Sequence, residues 1–61
     1  MPLVIVKMLA GRTGEQKRQL AQEITEVVSR VAGAPPDKVD VIIEEHPREH
    51  WATGGKLYSD T

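Results

Sequence analysis

The chain has 61 residues, no cysteine, and a formal net charge of −1 from eight basic and nine acidic side chains. A domain of this size hides only about 60% of the surface of its unfolded chain, and without disulfides we expect it to gain further burial by self-association. The basic residues are scattered singly between acids, which argues against nucleic acid or an anionic membrane as a partner.

The first predicted element is a strand over Leu3–Leu9, an aliphatic run that contains only Lys7 as a charged residue and leads directly into the turn sequence AGRTG. The run is far too short to span a membrane, and it lacks the basic leader of a signal peptide. The sequence therefore predicts a soluble, cytoplasmic protein with a single domain over residues 1–61.

A long helix is predicted next. Thr13 followed by Gln16 forms a capping-box pattern, and Gly33 stands where a left-handed C-cap belongs, just before the helix-stopping APPD. Between them apolar side chains recur at helical spacing, which predicts one amphipathic helix of about five turns. These side chains are Leu20, Ile24, Val27, Val28 and Val31.

The segment VDVIIEE, residues 39–45, is predicted to be a second strand, and two strands joined by a long helix imply a parallel βαβ unit. Gly54 and Gly55 then predict a small hairpin, so the fold class is α+β. One helix covers only one face of a two-stranded sheet. We expect Val4, Val6 and Met8 to lie on the uncovered face, and an apolar patch of that size favours an oligomer.

Pro2 directly follows the start methionine. Removal of Met1, which we expect in the mature protein, would expose a secondary amine. Free α-amines titrate near about 7.7 to 8, and burial in an apolar pocket lowers that value, so such an amine can act as a general base at neutral pH. The alternative is that Pro2 only begins a strand, where its missing N–H costs nothing.

Several short stretches together resemble the 4-oxalocrotonate tautomerase family across nearly the whole chain. They are Pro2, GR at 11–12, EQK at 15–17, AP at 34–35, VIIEE at 41–45 and GG at 54–55. The resemblance implies a βαβ tautomerase fold with a C-terminal hairpin, paired into dimers and assembled as a homohexamer of three dimers. It also implies that Pro2 moves a proton between the enol oxygen and a carbon of an α-keto acid such as 2-hydroxymuconate, with no cofactor or metal.

The resemblance assigns two further residues to substrate binding. Arg12 corresponds to the arginine that holds a substrate carboxylate, and a guanidinium in a turn past a strand end can offer a forked pair of donors to such a group. Trp51 occupies the place of the aromatic residue that walls the pocket. Each has an alternative: a solvated turn arginine for Arg12, and an interface anchor for Trp51.

Asp40 departs from the family pattern, which often has a second arginine at this point. An acid near Pro2 favours the ammonium form of the amine, which opposes its use as a base. Two alternative functions therefore stay open. One is a promiscuous, hydratase-like member that uses the Pro2 ammonium as a general acid, and the other is an inactive oligomeric partner of a second chain.

Three other residues near the hairpin carry weaker signals. Arg48 is a candidate substitute for the missing cation, although PREH is more typical of a solvated loop. His46 and His50 are candidate acids or bases, and their spacing suits a metal only on a helix, which Pro47 disfavours.

Overall fold

The structure, a computed structural model, describes residues 2–61; the expected removal of Met1 lies outside them. The predicted order of strand, helix, strand and hairpin is confirmed. The elements are β1 (Leu3–Leu9), α1 (Gly14–Ala32), β2 (Asp40–His46), β3 (Ala52–Thr53) and β4 (Lys56–Leu57), with short 3₁₀ turns at Pro36–Lys38, Arg48–His50 and Tyr58–Asp60.

β1 and β2 form a parallel two-stranded sheet with a register that runs from Leu3 opposite Asp40 to Leu9 opposite His46. β2 begins one residue later than predicted, because Val39 caps the preceding 3₁₀ turn and donates its N–H to the Pro36 carbonyl at 3.3 Å. The strands' two carboxyl ends therefore lie at the same end of the sheet.

Both caps of α1 follow the prediction. Thr13 Oγ1 accepts the Gln16 N–H at 3.1 Å, and Gln16 Oε1 accepts the Thr13 N–H at 2.9 Å, which completes the capping box. At the other end the Gly33 N–H donates to the Ser29 carbonyl at 3.0 Å. These bonds satisfy terminal backbone groups that a helix otherwise leaves open to water.

The prediction of which β1 side chains face away from the helix was wrong. Val4 faces α1, where it lines a hollow with Ile24, Val27 and Val28. Leu3 and Ile5 alternate with Val4 along β1 and lie on the opposite face of the sheet, together with Ile42 of β2. The exposed fractions of Leu3, Ile5 and Ile42 are 54%, 48% and 44%. β1 is apolar on both faces, so its sequence lacks the alternation that would identify the covered side.

The chain is flat and open. Its Cα extents are 43 × 24 × 13 Å and its radius of gyration is 14.4 Å, against about 10.5 Å for a compact domain of this length. Within residues 2–61 no hydrophobic side chain is fully buried. A single chain therefore lacks a buried core and leaves an apolar face open to solvent.

The predicted hairpin is present, with β3 and β4 antiparallel around Gly54 and Gly55. These glycines have φ of +63° and +83°, values that a two-residue type I′ turn requires and that side-chain-bearing residues rarely adopt. In the part of the chain that the structure describes, no helix is long and apolar enough to cross a membrane.

Candidate active site

Pro2 and Asp40 meet at the amino-terminal end of the sheet. Pro2 is half-buried immediately before β1, and its carbonyl accepts the backbone N–H of Asp40 at 3.0 Å. Asp40 opens β2 opposite Leu3 and is exposed. This bond extends the hydrogen-bond pattern of the sheet by one residue and fixes the Pro2 carbonyl against β2.

Arg12 lies in the tight turn that connects β1 to α1. The turn begins at Gly11, whose φ of +123° lies in a region that favours glycine, and it ends at the N-cap Thr13. Arg12 is exposed and lines an open hollow of about 300 Å³ with four helix residues, Gln16, Gln19, Leu20 and Glu23. A guanidinium here has room to receive a carboxylate from outside the chain.

A carboxylate on β2 supports this turn. Glu45 follows Val41 and Ile43 on the helix side of the sheet, where one of its oxygens pairs with the Lys17 ammonium and the other accepts the Gly11 N–H at 3.3 Å. The hydrogen bond from Lys17 is the main reason that the pKa of Glu45 lies below its usual range, and the backbone amides of Gly11 and Arg12 contribute further. Glu45 is therefore an anionic anchor beside Arg12.

Trp51 lies past the carboxyl end of β2, on the sheet face away from the helix. Its indole meets the His46 ring edge-on, with centroids 6.1 Å apart, and the Tyr58 ring at 6.5 Å. With Lys7, His46 and His50 it lines a second open hollow of about 300 Å³. The half-buried indole thus offers an apolar wall next to groups that can carry positive charge.

The four predicted site residues do not converge within one chain. Only Pro2 and Asp40 lie together, at the amino-terminal ends of the two strands. Arg12 follows the carboxyl end of β1, and Trp51 follows the carboxyl end of β2. The seven residues of β1 span about 20 Å at the usual rise per residue, far more than the length of a small dicarboxylate. Pro2 and Arg12 of the same chain cannot hold one such substrate.

Arg48 is engaged elsewhere. Its Nη2 donates to the Tyr58 carbonyl at 3.1 Å and lies 3.4 Å from the Thr61 hydroxyl, and the guanidinium carbon is 6.0 Å from the centroid of the Tyr58 ring. These contacts favour a role in holding the C-terminal turn beside the hairpin over a role as the missing substrate cation.

The two histidines lie near each other at the Trp51 hollow. His46 Nε2 is 3.6 Å from Glu44, which also contacts Lys7 at 3.7 Å. Among residues 2–61 no group of three or more His, Cys, Asp or Glu side chains is placed to hold a metal ion.

Glu45 and Lys17 are absent from the residues that the sequence singled out as a site. A signal was available: extending the alternation of Val41 and Ile43 by one step puts Glu45 on the helix side of β2. An acid in that position needs a nearby cation, and the first turn of α1 supplies Lys17.

Comparison with known proteins identifies the family of this chain. The model of the family described as tautomerase enzyme matches residues 2–61. The chain belongs to the tautomerase family. A relative from Bacillus subtilis named 2-hydroxymuconate tautomerase is 52% identical over 60 residues, which cover 98% of this chain and 97% of the relative.

Tautomerases of known structure share the fold throughout. The crystal structure of a 4-oxalocrotonate tautomerase homologue superposes with a TM-score of 0.95 at 44% identity, covering 100% of this chain and 97% of that one. A heterohexameric 4-oxalocrotonate tautomerase from Chloroflexus aurantiacus has a TM-score of 0.93 at 35% identity, with 98% and 97% covered. The resemblance inferred from the short sequence stretches and the predicted fold class are thereby confirmed.

Proposed function

We propose that this tautomerase interconverts the enol and keto forms of an α-keto acid, such as 2-hydroxymuconate or 4-oxalocrotonate, with the Pro2 amine as general base. The observation that carries the proposal is the position of Pro2, half-buried ahead of β1 with its carbonyl tied to β2, in a chain 52% identical to a 2-hydroxymuconate tautomerase. Removal of Met1 is part of the proposal, because an amide nitrogen is not basic.

The reaction needs only a relay of one proton. The neutral amine takes the proton of the enol hydroxyl, the electrons shift through the conjugated system to form the ketone, and the ammonium returns the proton to carbon. The amine therefore ends the cycle in its starting state, and the step draws on no cofactor. General-base catalysis of this kind is typically worth about 10² to 10⁴ in rate.

We propose that Arg12 anchors a substrate carboxylate and that Trp51 walls the pocket against water. Because Pro2 and Arg12 lie about a strand length apart, roughly 20 Å, the working site combines Pro2 of one chain with Arg12 of another. An oligomer is therefore required for function as well as for burial, and we propose a homohexamer of three dimers.

Loss of the Arg12 guanidinium tests its role. Arg12→Ala should raise KM for a dicarboxylate about tenfold to a hundredfold, as expected for an ionic hydrogen bond, and should change KM less for a monocarboxylate keto acid. Arg18→Ala is the matched control, because Arg18 is exposed and pairs only with Glu15 among the described residues. An equal loss on both substrates would indicate damage to the turn or the interface instead.

One observation keeps an acid-catalysed alternative open. Asp40 begins β2 beside Pro2, and a neighbouring carboxylate favours the ammonium form of the amine. A hydratase-like enzyme would then use that ammonium as a general acid. The two functions differ in their pH profiles: base catalysis rises as the amine loses its proton, whereas acid catalysis falls.

The decisive test of the tautomerase proposal compares protein that begins at Pro2 with protein that keeps a residue ahead of it. The disappearance of the dienol absorbance of 2-hydroxymuconate gives the rate. We expect the blocked protein to lose the general-base share of activity while its oligomer stays intact. Equal rates would move the base to another group, with His50 the first to examine, and no turnover by either form would favour a non-catalytic partner of a second chain.

A further inference from the structure

We propose that Glu45, held by Lys17, is a positioning residue that fixes the turn at Gly11 and Arg12 and so aims Arg12 at the substrate carboxylate. This rests on the proposed function, because it takes Arg12 to be the carboxylate anchor. Both side chains, Glu45 and Lys17, act through the backbone of the turn and not through contact with the substrate.

The contacts of Glu45 join three elements at one point. Its Oε1 pairs with the Lys17 ammonium on α1, and its Oε2 accepts the Gly11 N–H of the turn at 3.3 Å, while its backbone lies in β2. The regular ladder ends one residue earlier, where the Ala10 N–H donates to the His46 carbonyl at 2.9 Å. The carboxylate therefore continues the link between turn and sheet after the strand bonds stop.

Lys17 has a second effect. A lone carboxylate this close to the turn would be an ionic partner for the Arg12 guanidinium and would compete with substrate for it. Lys17 occupies one carboxylate oxygen and balances the charge, and Arg12 forms no ion pair within residues 2–61. The pair thus holds the backbone of Arg12 and leaves its side chain available.

A fixed turn should improve substrate binding, because less conformational entropy is lost when the substrate binds. The expected signature is a higher KM for the dicarboxylate, with little change in kcat, when the tether is cut. Substrates without the anchored carboxylate should be much less affected. General unfolding would lower kcat and raise KM for every substrate, so the two effects are separable.

The test uses Glu45→Gln, which keeps the shape and removes the charge, and Lys17→Met as a second way to cut the tether. Glu15→Gln is the matched control, because it removes an acid three residues from Arg12 that is 82% exposed and pairs with Arg18. Each variant is examined as the intact oligomer. The readouts are amide hydrogen exchange at Gly11 and Arg12, and KM for a dicarboxylate and a monocarboxylate keto acid.

We expect both tether variants to speed exchange at the two amides and to raise KM for the dicarboxylate several-fold, while Glu15→Gln behaves like the parent. Added to Arg12→Ala, Glu45→Gln should cause no further change in the ratio of the two KM values. Unchanged exchange, or an additive effect in the Arg12→Ala background, would overturn the positioning role alone. If Arg12→Ala itself leaves the ratio unchanged, the proposed anchor fails and this proposal fails with it, whatever the exchange data show.

Discussion

The backbone N–H of Asp40 donates to the Pro2 carbonyl, so an acidic residue begins the strand beside the candidate base. In the proposed reaction we expect its charge to repel a dianionic substrate and to favour the protonated amine. The resemblance to the 4-oxalocrotonate tautomerase family implies an arginine at this position, so the effect of the charge can be measured by placing an arginine there.

Asp40→Arg should raise kcat/KM for 2-hydroxymuconate by about one to two orders of magnitude, since it removes a repulsion and adds a donor for the negative charge that builds on the enolate. The midpoint of the pH profile should move to lower pH, because the amine then sheds its proton more easily. The measurement is kcat/KM against pH at fixed ionic strength.

Asp37→Arg is the control for that change, because it makes the same charge reversal in an exposed 3₁₀ turn three residues away. An Asp40→Arg protein with an unchanged rate and an unchanged midpoint would show that Asp40 lies outside the working pocket.

At the scale of the elements, β2 is tied to α1 by the ion pair of Glu45 and Lys17 as well as by apolar packing. The pKa of Glu45 is lowered in the fold, chiefly by the Lys17 hydrogen bond. In the unfolded chain a glutamate titrates near about 4.3. The pair therefore contributes its full stability above that value, and the contribution is lost as the pH falls through the lower, folded pKa.

Glu45→Gln should consequently lower Tm near neutral pH, and the gap between the parent and the variant should close in acid, where the parent's carboxyl group is also neutral. Thermal unfolding of both proteins across the acidic range measures this. Glu15→Gln breaks the exposed pair with Arg18, and the Tm difference between this variant and the parent should be much smaller at every pH. A Tm difference for Glu45→Gln that does not vary with pH would contradict the ionic link.

The elements differ in how far their sequences reveal them. α1 was predictable because its capping box, its apolar spacing and Gly33 all agree, and the hairpin was predictable from Gly54 and Gly55. The covered face of β1 was not, because Val4 and Ile5 are equally apolar and only packing against α1 distinguishes them. The Glu45 and Lys17 pair was missed because the alternation along β2 indicates the face on which Glu45 lies but not which residue of α1 lies opposite it.

In the whole molecule, the parallel pairing of β1 and β2 determines where the site residues lie. Parallel strands place Pro2 at one end of the sheet and the residues after both strands at the other. The sequence suggested that Pro2 and Arg12 act in one reaction. Only the topology shows that, within one chain, they lie at opposite ends of the sheet. The same flat chain exposes the apolar face that includes Leu3, Ile5 and Ile42.

Ile5→Lys should therefore weaken the oligomer, because it puts a charge in the middle of the exposed apolar face, where assembly would bury it. Sedimentation equilibrium at micromolar protein should show a closed oligomer for the parent and smaller species for the variant, with activity lost in parallel. Gln22→Lys adds the same charge at an exposed polar helix position and should leave the assembly intact. A parent protein that is a stable folded monomer would refute the shared site.

Complementation between two defective chains tests whether Pro2 and Arg12 of different chains form one active site. One chain carries a short N-terminal extension that blocks the Pro2 amine, and the other carries Arg12→Ala. Each is assayed alone with 2-hydroxymuconate at a concentration below its KM, and then after the two are unfolded and refolded together. Because the site takes Pro2 from one chain and Arg12 from another, about a quarter of the sites in a randomly mixed oligomer should regain both groups. We expect the mixed oligomers to have activity well above that of either protein alone. Activity no higher than the mean of the two, in oligomers shown to contain both chains, would contradict it.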